Sequence, residues 1–308
     1  MKELHKKRIM TWFILAILSC FLYAIVTVLN KFLLRQRATT RPLVFTFWLG
    51  VLSIFSFVLA PFGLAWPGWP AFLFDILVGL IYFASILYFY EALDINEASR
   101  ASSFVGGLTP IFVLLLSYVF LAETLTGMQL GAFSLLVAGG FLISMKRSRG
   151  AIKQGMKGFL FIFLTIVLGA IYWIMAKYIF GSQGFITGFV WSRLGFVLAS
   201  ALVLIHSKWR HMIFVSERQA TPKIGGLFAS SKMLAAFGSL SIHLALSYGN
   251  ASIVSALQGV QYVFLLIFAI FLSKEFPEFL EEKISAGIIA QKIIAILLIG
   301  GGLAILAM

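Results

Sequence analysis

The chain has 308 residues, 61% of them hydrophobic and only 11% charged, with a net charge of +13 and a single cysteine, Cys20. A soluble domain carries roughly 25% charged residues, so a water-facing surface is excluded, as is any intrachain disulfide. The positive charge lies in short runs between apolar stretches rather than on one face, which speaks against nucleic acid and for a membrane side facing anionic lipid.

A spanning helix needs about 20 apolar residues. Such stretches occur at 11–34, 43–65, 71–91, 98–122 and 128–145, then at 158–180, 185–206, 227–248, 252–273 and 286–307. Lys6, Lys7 and Arg8 open the first run as in a signal peptide, but no small-residue cleavage site follows, so an uncleaved first helix is expected. The predicted fold is therefore all-α, a polytopic membrane protein of ten transmembrane helices. Its two halves are 1–150 and 151–308.

The halves resemble each other. Laying the fourth stretch on the ninth puts Gly107 on Gly259, Phe112 on Phe264 and Glu123 on Glu275; Gln129 and the residues after it fall on Gln291 and its followers. Lys31 and Lys177 stand near the ends of the first helix of each half. An odd number of spans per half inserts the second upside down, giving two inverted five-helix repeats, an arrangement that places a transport site at the repeat interface. Connections 2–3, 4–5, 6–7 and 8–9 contain no Lys or Arg, whereas Arg35, Arg37, Arg41, Lys146, Arg147, Arg149, Lys208, Arg210, Arg218 and Lys223 lie on the other side. The positive-inside rule puts connections 1–2, 5–6 and 7–8 in the cytoplasm and both termini outside; the basic N-terminus (Lys2, Lys6, Lys7, Arg8) points the other way.

The run from Glu97 to Ile143 resembles the half-repeat of the EamA family of the drug/metabolite transporter superfamily, through Ser102, Ser103, Pro110, Glu123, Gly139 and Gly140. The second half is similar in Glu275 and Gly300 to Gly302 but has Tyr262 where proline would stand. The resemblance implies a permease for a small solute, in efflux or uptake. Small multidrug exporters of this superfamily rely on an acidic residue in their first helix, and here that helix has none, which disfavours proton-coupled export of hydrophobic cations.

Ionisable groups within spans are costly and become functional candidates. Arg193 reads as a cavity arginine for a carboxylate or phosphate, or as one satisfied by neighbouring helices. Lys31 and Lys177 read as snorkelling side chains or as gate and substrate-anion groups. His243 reads as a packing histidine or a ligand contact, and Glu91, near Asp94, Glu97 and Arg100, as a salt-bridge member or a proton-coupling group. Glu123 and Glu275 are expected to cap the next helix or pair with Lys274. Gly106, Gly107 and Pro110 are expected to break the fourth helix, and Gly259 the ninth. With Ser102, Ser103, Thr109, Gln258, Gln261 and Tyr262 these would wall a cavity, or else pack helices closely. The glycines of the fifth and tenth helices, Gly127 and Gly131 included, would dock the halves. Trp66 and Trp69 read as interfacial, and Tyr82, Tyr88, Tyr172, Trp173 and Trp191 as deeper.

These residues point to a secondary transporter for a small carboxylate- or phosphate-bearing solute working by alternating access; a flippase for a phosphorylated lipid carrier is the alternative. No zinc, nucleophile-elbow or Walker motif is present, so neither an enzyme nor a metal or other cofactor is expected. The expected partners are the solute and membrane lipids, with the chain acting as a monomer or homodimer.

Overall fold

Inside a bilayer each backbone N–H and C=O must be paired within the chain, and the helix does this locally. The computed structural model describes residues 2–34, 41–95, 98–145, 156–217, 222–272 and 286–307. All regular structure among them is helical: α1 (Lys2–Leu34), α2 (Pro42–Leu52), α3 (Trp69–Ile95), α4 (Ala98–Leu121), α5 (Gly127–Ser144), α6 (Met156–Gln183), α7 (Phe185–Val203), α8 (Ser207–Glu217), α9 (Pro222–Tyr248), α10 (Ala251–Leu257), α11 (Val260–Leu272) and α12 (Ala286–Ala307). Among the described residues, ten spans are long and apolar enough to cross a membrane: α1 to α7, α9, α10 with α11, and α12.

Two elements differ from the apolar pattern. The second span tightens into a 3-10 helix over Ser53–Phe62 and ends at Gly63, where φ is 123°. The connection after α7 holds a short extra helix, α8, whose Ile213 is buried against the Val44 and Phe47 region of α2 while Trp209, Phe214 and Val215 are exposed.

The predicted break in the fourth span is absent. α4 runs unbroken past Gly106, Gly107 and Pro110. Proline removes one internal hydrogen bond, and the turns on either side of Pro110 continue regardless. The Tyr262 hydroxyl donates to the Ser102 carbonyl at 3.4 Å and lies beside Gly106, while Gly107 faces the Phe141 ring. In the ninth span the break is real. α10 ends at Leu257 and α11 starts at Val260, with i→i+3 bonds such as Gly259 N to Ala256 O (3.1 Å) carrying the chain through Gln258 and Gly259, the tighter geometry of a 3-10 turn. The Leu257 carbonyl accepts from Cys20 Sγ at 3.2 Å. A side chain at Gly259 would meet the Gly140 Cα at 3.1 Å, so this glycine lets α5 approach.

α1 packs on α9, α3 on α6 and α7, α5 on α12, α4 on α5, α6 and α10, and α11 on α1. The α5–α12 contact uses Gly139 against Ile299 and Gly302 against Leu136. A Cβ added at Gly127 or Gly131 would meet nothing within 4 Å outside its own helix among the described residues, so neither glycine marks a close helix approach there. Asn250 caps α10, its Oδ1 accepting from the N–H groups of Ser252 (2.9 Å) and Ile253 (3.3 Å). Asn250→Ala is expected to cost about 1 kcal/mol, read as a fall of a few degrees in melting temperature.

Candidate functional site

Arg193 is the centre of the densest polar cluster. It lies on α7, eight residues past the first of that helix, and is 6% exposed. Nη2 donates to Ser239 Oγ at 2.7 Å, and the guanidinium carbon lies 4.7 Å from the Tyr82 ring centroid and 4.8 Å from that of Phe189. His243, one turn past Ser239 on α9, lies 3.5 Å from the same nitrogen. Its Nδ1 bonds the Ser239 carbonyl and its Nε2 the Tyr172 hydroxyl. Tyr172 stacks on Tyr82 at 4.2 Å. Tyr23 of α1 lies against Gly238, the residue before Ser239.

Four helices thus hold one guanidinium among aromatic faces, a hydroxyl and an imidazole. Cation–π contacts with desolvated rings contribute about 2 kcal/mol, which offsets part of the burial cost. None of these partners carries a negative charge, and among the described residues no carboxylate pairs with Arg193. The planar fork is suited to bidentate recognition of a carboxylate or phosphate.

The structure brings Arg193 and His243 together, as well as Tyr82 and Tyr172. The neutral groups form a neighbouring cluster. Gln261 Nε2 donates to Thr27 Oγ1 at 3.1 Å, and Thr27 Oγ1 donates to the Tyr23 carbonyl at 2.8 Å, which ties the first turn of α11 to α1. Gln258 Nε2 and Thr109 Oγ1 are buried without a partner among the described residues. Ser103 is buried on α4, near Ser102 and Tyr262. Glu91 is half-buried near the end of α3, close to Asp94 and Lys157. The side chains of Lys31 and Arg100, and the residues Glu97, Lys274 and Glu275, lie outside the described part of the chain.

Lys177 folds inward instead of snorkelling. Its ammonium donates to the carbonyls of Gly249 (2.7 Å) and Leu246 (2.9 Å) at the end of α9, and Glu123 Oε1 is 3.8 Å away. Glu123 Oε2 accepts from Ala251 N at 2.9 Å, so it caps α10 rather than the helix that follows it. A groove of about 380 Å³ lies over this pair, not over Arg193. Lys177→Met would leave these carbonyls without their charged donor. It is expected to lower stability by about 1–3 kcal/mol, read as a fall in melting temperature relative to the wild type.

Trp191 hydrogen-bonds the Ala65 carbonyl at 3.0 Å and joins Trp66, Trp69 and Phe72 in an aromatic belt, so it is not a deep group.

Two buried ionisable residues satisfy the same intramembrane criterion as Arg193 and were legible by it. Lys232 on α9 is 6% exposed, with Nζ 3.5 Å from the Phe45 ring centroid and 4.9 Å from that of Phe228. It shares a helix face with Ser239 and His243, at spacings i, i+7 and i+11, about 10 Å along the axis from Ser239. Asp75 on α3 is fully buried and accepts from Gln183 Nε2 at 2.9 Å. Ser239, by contrast, gives no signal in sequence.

No curated protein matches the sequence. A solved structure described as "Crystal structure of protein" superposes with a TM-score of 0.67 over 97% of this chain and 95% of that one, at 18% identity, a likeness that speaks for fold alone. Residues 10–145, which hold the first five spans, match the EamA-like transporter family, part of the drug/metabolite transporter superfamily, and the ten long apolar helices make the chain a multi-pass membrane protein.

Proposed function

We propose that the protein is a secondary transporter for a small organic solute bearing a carboxylate or phosphate, with Arg193 as the group that binds the anion. The observation that carries this reading is the arginine itself, buried among rings and neutral polar groups with no carboxylate to neutralise it among the described residues. Arg193, Ser239 and His243 hold the anion; Tyr82, Tyr172 and Phe189 accept the apolar part of the solute. Lys232, on the same face of α9, serves as a second station toward the α8 end.

Alternating access follows from the repeat arrangement, which the helix pairings support. Exchanging the two sets of five maps the α1–α9 contact onto α6–α3 and returns α5–α12 and α2–α7 to themselves. The tight α3–α7 contact maps onto α9–α2, which is not among the close pairs and meets through the Phe45 and Phe228 rings around Lys232. Such asymmetry between equivalent interfaces is expected of one state of a rocking pair. The α8 end, where the basic connections lie, is read as cytoplasmic. A flippase would need its basic groups open sideways to lipid, and the burial of Arg193 and His243 favours the solute reading.

The test is a thermal-shift screen of the detergent-purified protein against carboxylates and organic phosphates, beside Arg193→Ala. Stabilisation of the wild type alone supports the reading. Equal shifts in both proteins would remove Arg193 from the site, and a response to lipids alone would put the flippase first.

A further inference from the structure

Asp75 takes no part in the arginine cluster, yet its side chain has no solvent exposure. It lies six residues past the start of α3, about 9 Å along the helix. Gln183, the last residue of α6, donates its Nε2 to Asp75 Oδ1 at 2.9 Å. That bond leaves two buried oxygens with no partner among the described residues: Oδ2 of Asp75 and Oε1 of Gln183.

With an ionised carboxylate both orphans are acceptors. Flipping the amide only exchanges which atoms are paired, and an unmade buried hydrogen bond is costly. One proton on Oδ2 removes the conflict. The acid O–H donates to Gln183 Oε1 while Gln183 Nε2 donates to Oδ1, so all four atoms are satisfied in a cyclic acid–amide pair.

Among the described residues no fixed charge nearby substitutes for that proton. On α6, Lys177 is held by the carbonyls ending α9 and by Glu123, and Tyr178, beside the Phe74 ring, is exposed. On α7, Arg193 is engaged with Ser239, Tyr82 and Phe189. On α4, Glu123 is tied to Lys177 and Ala251. Helix α2 contains no ionisable residue, and Glu91 and Asp94 sit at the opposite end of α3.

We infer that Asp75 is a proton-binding site: its acid form closes the pair with Gln183 and clasps α3 to α6 at the end of the bundle where α6 passes into α7, and its ionised form releases the clasp. The proton exchanges with the water on that side. This stands whether or not Arg193 binds an anion, and it places proton sensing on a residue other than Glu91.

The single cysteine makes the test direct. In a Cys20→Ala background, Val78→Cys puts a thiol at a buried position one turn past Asp75. Its labelling by a membrane-impermeant maleimide is normalised at each pH to that of an exposed Ser182→Cys control. Between about pH 5 and about pH 9, a window that contains carboxylate titration even when perturbed, normalised labelling is expected to rise up to about tenfold, the scale set by loss of one neutral hydrogen bond. Adding Asp75→Asn, whose amide can both donate to and accept from Gln183, is expected to keep labelling low throughout. The same pH profile with and without Asp75→Asn overturns the clasp. Infrared titration reads the proton itself: the wild type is expected to show a protonated-carboxyl band that Asp75→Asn lacks. The absence of any Asp75-dependent band across that window overturns the proton site, even if the variants fold poorly for labelling.

Discussion

Arg193→Lys is expected to weaken anion binding nearly as much as Arg193→Ala. Lysine keeps the charge but loses the planar fork that meets Ser239 while lying against the faces of Tyr82 and Phe189. Hydrogen bonds to a charged group contribute about 1.5–3 kcal/mol each, so the expected loss in Kd is on the order of thirtyfold for either variant. Isothermal titration of the stabilising anion measures it. Full retention of affinity by the lysine variant would show that charge alone suffices and that the geometry of the cluster does not matter. Lys232→Gln is expected to leave affinity at Arg193 largely intact and to slow transport instead, because its station lies about 10 Å away along α9.

Gly195→Val is expected to prevent stable folding. A Cβ at Gly195 would lie 2.9 Å from the Ile76 Cα and 3.0 Å from the Gly79 Cα, and would run into the Ile76 carbonyl oxygen. A Cβ at Gly79 would in turn meet Phe196 N at 2.5 Å. The obstructing atoms are backbone, so no rotamer change relieves them. Overpacking typically costs about 1–3 kcal/mol, and this contact belongs at or beyond the upper end because α7 must move away from α3 and carry Arg193 with it. Gly131→Val, where an added Cβ meets nothing within 4 Å, is the matched control and should melt like the wild type. Detergent melting curves and monodispersity on gel filtration distinguish the two. Normal melting of Gly195→Val would mean that the α3–α7 approach is looser than described.

The spans were legible in the sequence because the bilayer imposes a length and forbids charge, and ten apolar runs meet both conditions. The break at Gly259 was legible for the same reason that Pro110 misled: each weakens a helix locally. Gly259 stands where Gly140 needs room, whereas Pro110 lies in a long helix that continues on both sides. Lys177 lay at a helix end, where snorkelling is the ordinary outcome; only the packing of α6 against α9 reveals the carbonyls that draw it inward. The meeting of Arg193 with His243 belongs to tertiary structure, since 50 residues separate them and Ser239, which bonds both, is one serine among many. Lys232 and Asp75 break apolar runs as Arg193 does, and their presence was readable; what faces them was not.

In the proposed function Arg193 binds the anion of a transported solute. The direct measurement is flux of the carboxylates and organic phosphates that stabilise the protein, in proteoliposomes carrying wild type or Arg193→Ala at equal density. Exchange of at least one such anion by the wild type, lost in the variant, is the predicted result. Equal flux through both, or lipid movement without solute flux, would contradict it.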